Sequence, residues 1–347
     1  MAEEFRLCGE KIPPGTNMTL EVALPHLYTR TPMTMPVHVR RGRRAGPCLF
    51  VCAAVHGDEL NGVEIVRRLM KRRALSKIRG TVVAIPIVNV YGVIDRSRYL
   101  PDRRDLNRSF PGSDRGSLAA RLADLFMTEI VAHCTHGIDL HTGALHRSNL
   151  PQIRGNLDDD ETLRLARLFG VPVLINAVLR DGSLREAAAA RGIPMLLYEA
   201  GEALRFDEVS IRAGVQGILN VMRGLDMLPP VGGRKRHSHE PFVARSSAWV
   251  RAPASGIFRG TVSVGAYVKA DDLLGSIAEP VGDTEVEVRA SRGGIVIGRS
   301  NLPLVLEGEA LFHIASFEDL VEVAEQVEEF QTVHEEAIEN GNEPSIV

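Results

Sequence analysis

The chain has 347 residues, a formal net charge of −3 and 44% hydrophobic residues. This length allows one large domain or two smaller ones with a buried core, and the nearly balanced charge gives no indication of nucleic acid binding. No apolar stretch reaches the ~18 residues of a membrane-spanning helix, and the N-terminal segment lacks the apolar region of a signal peptide. We therefore expect a soluble protein with neither nucleic acid nor a membrane as a partner.

The four cysteines indicate a reducing compartment. They are Cys8, Cys48, Cys52 and Cys134, and no two of them form a CxxC pair. Cys48 and Cys52 lie in an apolar run, where a free thiol packs as a small hydrophobic group. The sequence therefore predicts no disulfide framework and a cytoplasmic location.

Strand and helix patterns alternate along the first 228 residues. In chain order they are a basic loop at 40–44, a strand at 47–55, a helix at 61–73, a strand at 81–90, a polar loop at 95–112, a helix at 117–133, a strand from 138, a helix at 163–169, a strand at 171–178, a helix at 183–191 and a strand at 194–200. The strands are continuously apolar, which is typical of a sheet covered on both faces. The pattern predicts an α/β fold with a mostly parallel sheet flanked by helices.

The composition changes after residue 228. Residues 229–243 are rich in proline, glycine and charge and are predicted to be a linker. Short strand patterns separated by glycine turns follow and predict a small all-β domain at 244–316. Residues 317–347 form an acidic, helix-prone tail with no Lys or Arg, part of which we expect to be disordered.

Two segments that follow apolar runs supply a metal-ligand set. His56 and Glu59 lie in VHGDE at 55–59, and His141 lies in DLHTG at 139–143. If Gly57 opens a helical turn, His56 and Glu59 share one face because they are three residues apart. Two imidazoles and one carboxylate are the protein ligands of an open catalytic zinc site. Zn²⁺ is therefore the expected cofactor.

A fourth polar side chain follows another apolar run. Glu199 lies in LLYEAG at 196–201 and offers a carboxylate that the zinc ligand set does not need. Function in parallel sheets gathers at the carboxyl ends of the strands, and His56, His141 and Glu199 all fall at such ends. The combination predicts a metallohydrolase.

With the loop DLNRSFPG at 105–112, these motifs resemble a known family. HGDE, DLNRSFPG, DLHTG and YEAG occur in the order found in the succinylglutamate desuccinylase/aspartoacylase family, zinc deacylases related in fold to the M14 carboxypeptidases. The resemblance covers roughly residues 45–225. It implies a zinc-carboxypeptidase-like sheet, zinc bound by His56, Glu59 and His141, and Glu199 as the general base.

The resemblance also implies roles for several polar side chains. Asn107 and Arg108 would bind the substrate carboxylate, since the planar fork of arginine matches a carboxylate. Arg98 would stabilise the oxyanion, with Arg103 and Arg104 as the alternatives for that role. Arg185 would bind an acidic acyl group. The family often forms dimers or larger assemblies, which makes a homo-oligomer possible.

The predicted β domain resembles a biotinyl/lipoyl-like barrel sandwich, and in the family such a domain narrows access to the zinc site. The turn at 291–294 has no lysine, so we predict no attached lipoate or biotin. The domain limits predicted on this basis are 1–228 for the zinc-binding deacylase domain, 229–243 for the linker, 244–316 for the β domain and 317–347 for the acidic tail.

The leading hypothesis is a zinc amidohydrolase that removes an acyl group from an N-acyl amino acid, a small-molecule substrate. The alternatives are a zinc carboxypeptidase acting on short peptides and, in another class, a non-catalytic small-molecule binding protein. The acidic run at 158–161 could face a cationic substrate, but acidic residues also suit a helix N-terminus, and we favour that interpretation. The sequence does not identify the acyl group or the amino acid.

Overall fold

The structure is a computed structural model, and it describes residues 4–230, 241–244, 246–282, 284–318 and 320–339. Most of the predicted linker, residues 231–240, lies outside the described residues. Within the described part of the chain, no helix combines the length and the apolar character needed to cross a membrane.

Strands and helices alternate through the first two thirds of the chain, as predicted. Two limits were wrong: Arg40, Arg41 and Arg44 of the predicted basic loop belong to strands, and the strand predicted at 81–90 ends at Ile85, before a helix that begins at Val90. The strands are β1 (Arg6–Leu7), β2 (Glu10–Lys11), β3 (Asn17–Ala23), β4 (Thr34–Arg41), β5 (Arg44–Ala53), β6 (Arg79–Ile85), β7 (His136–Gly143), β8 (Arg147–Gly155), β9 (Val173–Asn176), β10 (Met195–Glu202), β11 (Phe242–Ala244), β12 (Ser246–Arg251), β13 (Gly256–Gly260), β14 (Tyr267–Val268), β15 (Leu273–Ala278), β16 (Glu285–Arg289), β17 (Gly294–Ser300), β18 (Leu304–Val305) and β19 (Ala310–Ser316). The α-helices are α1 (Asn61–Met70), α2 (Val90–Asp95), α3 (Leu118–Glu129), α4 (Asp160–Phe169), α5 (Leu184–Ala189), α6 (Glu208–Gly224) and α7 (Leu320–Glu339). Short 3-10 helices cover Arg73–Lys77, Leu106–Arg108 and Val131–His133.

A long mixed sheet forms the centre of the molecule. Its main strand order is β12-β19-β17-β8-β10-β7-β5-β6-β4-β3, with β9, β11 and β14 attached beside that path. The strands β10, β7, β5 and β6 run parallel to their neighbours in this series, whereas β8 is antiparallel to β10. The predicted mostly parallel sheet with flanking helices is confirmed.

The middle strands are apolar throughout because the sheet is covered on both faces. Phe50 and Cys52 of β5 point into one hydrophobic cluster, which α3 covers, while Leu49 and Val51 point into the opposite one, which α1 and α6 cover. All four cysteines are free thiols, as the sequence predicted.

The acidic run at 158–161 begins helix α4. Asp159 is its N-cap and accepts a hydrogen bond from the backbone N–H of Thr162, and Asp160 and Glu161 lie in the first turn. Acidic side chains at this end stabilise the helix through its dipole. The preferred interpretation of this run as a helix start therefore agrees with the structure.

The C-terminal region is antiparallel and all-β, as predicted. Four of its strands form a separate sheet in the order β16-β15-β13-β18. The others extend the central sheet, because β17 pairs with β8 through Gly298 and Asn149, Arg299 and Ser148, and Ser300 and Arg147. The two regions therefore share one hydrogen-bonded sheet.

The predicted linker and tail contain regular structure at their edges. Phe242 and Val243 belong to β11, which runs parallel to β9. Within the tail, α7 packs against α6, and Phe330 contacts the cluster beneath that helix. The domain limits themselves stay a prediction.

Phe126 of α3 gives a test of the core that supports the DLNR loop. Its fully buried ring lies 6.2 Å from the ring of Phe50 and 6.3 Å from that of Phe110. We expect Phe126→Ala to lower the free energy of unfolding by about 3–5 kcal/mol, because it removes buried surface and leaves a cavity. Phe206→Ala, at a ring that is 51% exposed, should change it by less than about 0.5 kcal/mol. Urea denaturation measures both, and equal losses would contradict the packing described.

Candidate metal centre and substrate cavity

The polar side chains singled out in the sequence meet at the carboxyl ends of parallel strands. His56 follows β5, His141 lies near the end of β7, and Glu199 lies on β10. His141 and Glu199 are direct neighbours in the parallel register of β7 and β10. Parallel strands bring such residues to one edge of the sheet, which explains why side chains distant in sequence converge.

A tight turn holds His56 and Glu59 together. The backbone N–H of Glu59 donates to the carbonyl of His56 at 3.2 Å, so the two side chains leave the same face before α1 begins. Gly57 in this turn lies against Gly92 of α2, where a Cβ on Gly57 would come 2.0 Å from the Gly92 carbonyl carbon. Only glycine fits that approach, and the turn is thereby fixed in position.

Glu59 lies between the two histidines. Its Oε1 is 2.7 Å from His56 Nδ1, and its Oε2 is 2.7 Å from His141 Nδ1. All three residues are buried, and one ligand atom from each lies within 4.8 Å of the others. Burial alone would raise the pKa of the Glu59 carboxyl, but His56 and His141 outweigh it and hold that pKa well below its usual range. The carboxylate is therefore ionised and attracts positive charge.

The second nitrogen of each imidazole has its own carboxylate partner. His141 Nε2 lies 2.7 Å from Asp139 Oδ2, and His56 Nε2 lies 3.1 Å from Asp105 Oδ1. Metal-binding histidines typically have such partners, which fix the ring and leave the other nitrogen for the metal. Asp139 and Asp105 lie inside two of the sequence motifs, but no role was predicted for either of them.

Arg98 lines the same cavity and is ion-paired to two of these carboxylates. Its Nη1 donates to Glu59 Oε1 at 3.2 Å, and its Nη2 donates to Asp105 Oδ2 at 3.0 Å. The alternatives considered from the sequence, Arg103 and Arg104, are exposed and do not line this cavity. Geometry therefore favours Arg98 among the three for contact with substrate.

The DLNR loop contributes two further lining residues. The Oδ1 of Asn107 accepts a hydrogen bond from the backbone N–H of Leu184 at 2.9 Å, which ties the loop to the start of α5. Arg108 donates from Nη1 to the backbone carbonyl of Asn107. Both side chains line the cavity, so a substrate carboxylate could reach the amide and the guanidinium together.

Glu199 faces the cavity from β10 and is held by two residues of β8. Asn149 donates from Nδ2 to Glu199 Oε2 at 2.9 Å, and Arg154 Nε lies 3.2 Å from the same oxygen. Neither neighbour was expected from the sequence. The Glu199 carboxylate is thereby oriented, while remaining separate from the group of His56, Glu59 and His141.

Arg185 lies on α5, the helix that precedes the Glu199 strand. It is 9% exposed, and its Nη2 donates to the carbonyl of Val178 at 3.0 Å. Its Nε and Nη1 are buried without a hydrogen-bond partner. Burial and the neighbouring Arg154 lower the pKa of Arg185. A buried guanidinium with free donors is costly unless an anion joins it.

The cavity has a volume of about 360 Å³, which suits a small molecule. Besides the residues already described, Arg147, Arg180, Trp249 and His313 line it. Trp249 and His313 come from the C-terminal region, and the sequence carried no signal for their position because their contact with the site depends on distant strand pairing.

A larger cleft of about 740 Å³ lies elsewhere, around the loop between β4 and β5 and the residues after α6. Its lining includes Arg40, Arg43, Arg44 and Arg79, members or neighbours of the basic segment noted in the sequence. Within the described ranges, the candidate metal-ligand group occurs only at His56, Glu59 and His141. The smaller cavity is therefore the candidate site.

A comparison with protein families matches residues 45–225 to the succinylglutamate desuccinylase/aspartoacylase catalytic domain. Among curated proteins, an N-alpha-acetyl-L-2,4-diaminobutyric acid deacetylase from Halomonas elongata is 27% identical over 291 residues, which cover 80% of this chain and 84% of the relative.

Solved structures show the same architecture. A succinylglutamate desuccinylase/aspartoacylase from Rhodobacter sphaeroides matches with a TM-score of 0.78 and 26% identity, covering 87% of this chain and 96% of that chain. The product-bound ectoine utilization protein EutE from Ruegeria pomeroyi matches with a TM-score of 0.78 and 24% identity, covering 88% and 97% of the two chains. At that identity the second match supports the fold alone.

Proposed function

Because the chain belongs to the succinylglutamate desuccinylase/aspartoacylase family, we propose that it is a zinc-dependent hydrolase that removes an acyl group from an N-acyl amino acid. One observation carries the proposal above the others. The ligand atoms of His56, Glu59 and His141 converge within 4.8 Å at the same strand ends where Glu199 enters the cavity.

The donor set fits zinc. Two imidazole nitrogens and one carboxylate are the protein ligands of an open catalytic zinc site, and the buried Glu59 carboxylate bridges the two Nδ1 atoms where an ion would be held. Asp139 and Asp105 orient the rings from behind. When bound, zinc would polarise the scissile carbonyl and make a water molecule more acidic.

The residues around this centre would transfer the proton and stabilise the negative charge that develops during hydrolysis. Glu199, oriented by Asn149, accepts a proton from the attacking water and delivers it to the leaving amine. Arg98 donates to the oxygen that gains negative charge as water attacks the carbonyl. The products are a carboxylate and a free amino acid.

Two groups of residues would bind the ends of the substrate. Asn107 and Arg108 lie together on the DLNR loop and would hold the amino acid carboxylate, since arginine binds carboxylates through two parallel hydrogen bonds. Arg185, whose Nε and Nη1 lack partners, would bind an acidic acyl group. The small volume of the cavity favours such a substrate over a long peptide.

The proposal includes the cellular location of the protein and its state of assembly. The four free cysteines fit a reducing compartment, and we place the enzyme in the cytoplasm. A homo-oligomer is compatible with the proposed chemistry, since every residue assigned a role comes from one chain.

The proposal is tested on one purified preparation from which a chelator has removed the metal. Half of this stripped protein is then reloaded with zinc, and the two halves are compared. We expect the reloaded protein to hydrolyse N-acetyl or N-succinyl amino acids and the stripped protein to be inactive. The rate of amine release from the N-acyl amino acids is compared with the rate of release from a series of dipeptides. Faster cleavage of dipeptides would indicate a carboxypeptidase, and tight ligand binding without turnover by the zinc-loaded protein would indicate a binding protein.

A further inference from the structure

One wall of the substrate cavity comes from the C-terminal region and has no part in the chemistry proposed above. Trp249 of β12 and His313 of β19 are cross-strand neighbours, and their rings stack with centroids 4.5 Å apart and planes 10° apart. The guanidinium of Arg147 lies 5.2 Å from the centre of the Trp249 ring. Stacking of this kind fixes the orientation of the imidazole.

The His313 ring is neutral and incompletely hydrogen-bonded. It is 5% exposed, and its Nδ1 is buried without a partner. Burial, together with Arg154, lowers the pKa of His313 to about 3, so one ring nitrogen carries a proton at neutral pH and the other does not. A proton on the sealed Nδ1 would have no acceptor, and buried donors without an acceptor are rare in proteins. Nε2 is not among the sealed atoms, and we assign the proton to it. His313 then lines the cavity as a hydrogen-bond donor.

The surroundings of His313 are positively charged. Arg147, Arg154, Arg180 and Arg185 line the same cavity. Arg154 and Arg180 both contribute to lowering the pKa of Arg185, so these guanidinium groups lie near one another. The carboxylate of Glu199 contacts one of these four arginines, Arg154. A positively charged substrate group would be repelled here, whereas an oxygen acceptor with negative charge would be attracted.

We propose that His313, held in place by Trp249, is a specificity-determining residue that donates a hydrogen bond to a second substrate carboxylate, other than the one that Asn107 and Arg108 would hold. That carboxylate belongs either to the acyl group or to the amino acid side chain. The same donor, with Arg154 beside it, disfavours a substrate that carries an amine in place of that carboxylate. The inference rests on the proposed deacylase function.

The kinetic test compares three N-acetyl amino acids that differ at one end: N-acetyl-L-glutamate with a carboxylate, N-acetyl-L-2,4-diaminobutyrate with an amine, and N-acetyl-L-alanine with neither. N-succinyl-L-alanine places the second carboxylate on the acyl group instead. We expect wild-type protein to prefer one of the two dicarboxylates. His313→Phe keeps a ring against Trp249 but loses the donor, and should raise KM for that substrate about 10- to 100-fold. KM for N-acetyl-L-alanine should stay unchanged.

A conservative variant of His313 distinguishes a hydrogen bond to the substrate from a purely structural role of the residue. His313→Asn retains an N–H donor, so we expect it to recover part of the preference that His313→Phe loses. Equal loss of activity on all substrates in both variants would show that His313 only supports the fold, and the inference would be wrong. A wild-type preference for the amine would overturn it as well, while leaving the deacylase function intact.

A binding measurement makes the outcome independent of turnover. Calorimetric titration of the zinc-loaded protein with glutarate and with butyrate compares a dicarboxylate with a monocarboxylate of similar length. We expect glutarate to bind more tightly, and His313→Phe to remove most of that difference. Equal binding of the two acids by wild-type protein would reject the subsite, whereas selective binding without hydrolysis of any N-acyl amino acid would reject only the proposed function.

Discussion

Replacement of Glu199 with glutamine is expected to lower kcat by about 10²- to 10⁴-fold, the range for loss of a general acid–base group. The substitution keeps the size of the side chain but removes its ability to accept a proton. Glu199 lies outside the group formed by His56, Glu59 and His141, so the metal content should not change. Steady-state kinetics and elemental analysis on the same preparation measure the two quantities.

Glu202 provides the matched control. It lies on the same strand as Glu199 but does not line the cavity, and its carboxylate accepts a hydrogen bond from Asn301 at 2.8 Å. Glu202→Gln should leave kcat within about threefold of wild type, since it removes no proton transfer. Unchanged activity in Glu199→Gln would remove Glu199 from the mechanism.

Replacement of His141 with alanine is expected to abolish metal binding. Protein purified without added metal should contain about one zinc ion per chain, as expected of a three-ligand site, and the variant should contain almost none. The loss is large because the substitution removes one of three ligands and leaves Asp139 without its imidazole partner. Elemental analysis gives the metal content, and turnover should disappear with it.

His136 is the control for this experiment because it lies at the start of the same strand. Its Nε2 is 3.5 Å from Glu161. Neither residue lines the cavity, and His136→Ala should retain zinc. His56→Ala should repeat the loss seen in His141→Ala. Zinc content that is the same in wild type and in both site variants would mean that the ligand set has been misidentified.

The sequence was sufficient for the parts of the fold that rest on local patterns. Continuous apolar runs predicted β5 and β10, because these strands are buried on both faces. Strand β7, HGIDLHTG, has no such run and was predicted only from residue 138 onward. The motifs at the ends of these three strands predicted that His56, His141 and Glu199 would meet. The family resemblance over residues 45–225 coincides with the residues of the matched family model.

Strand β8 was not predicted because its polar residues serve the cavity. Its sequence, RSNLPQIRG, includes Arg147, Asn149 and Arg154, all of which line the cavity. Side chains placed there for charge and hydrogen bonding break the apolar pattern that identifies a buried strand. Strand β8 also supplies Asn149, the hydrogen-bond partner of Glu199. Because the strand was not predicted, no role could be predicted for Asn149.

Helix α6 was missed for a different reason. It contains Gly214 and Gly217, and glycine disfavours helices by about 1 kcal/mol relative to alanine. In the fold, a Cβ at Gly217 would lie 2.1 Å from the ring of Phe169. The glycine therefore permits close packing that a local sequence pattern does not reveal. The positions of Trp249 and His313 were equally hidden, since they depend on pairing between β17 and β8.

The shared sheet also has a consequence for synthesis of the chain. A ribosome completes the metal ligands and Glu199 once β10 has emerged, but β17, which pairs with β8, is made much later. Until then the first half of β8, residues 147–149, has no strand partner on that side, although its second half already pairs with β9. Unpaired strand edges invite association between chains. A nascent chain at that stage also lacks the wall formed by Trp249 and His313. Selectivity for the substrate would therefore be acquired after the ligands of the catalytic centre, in the last stage of folding.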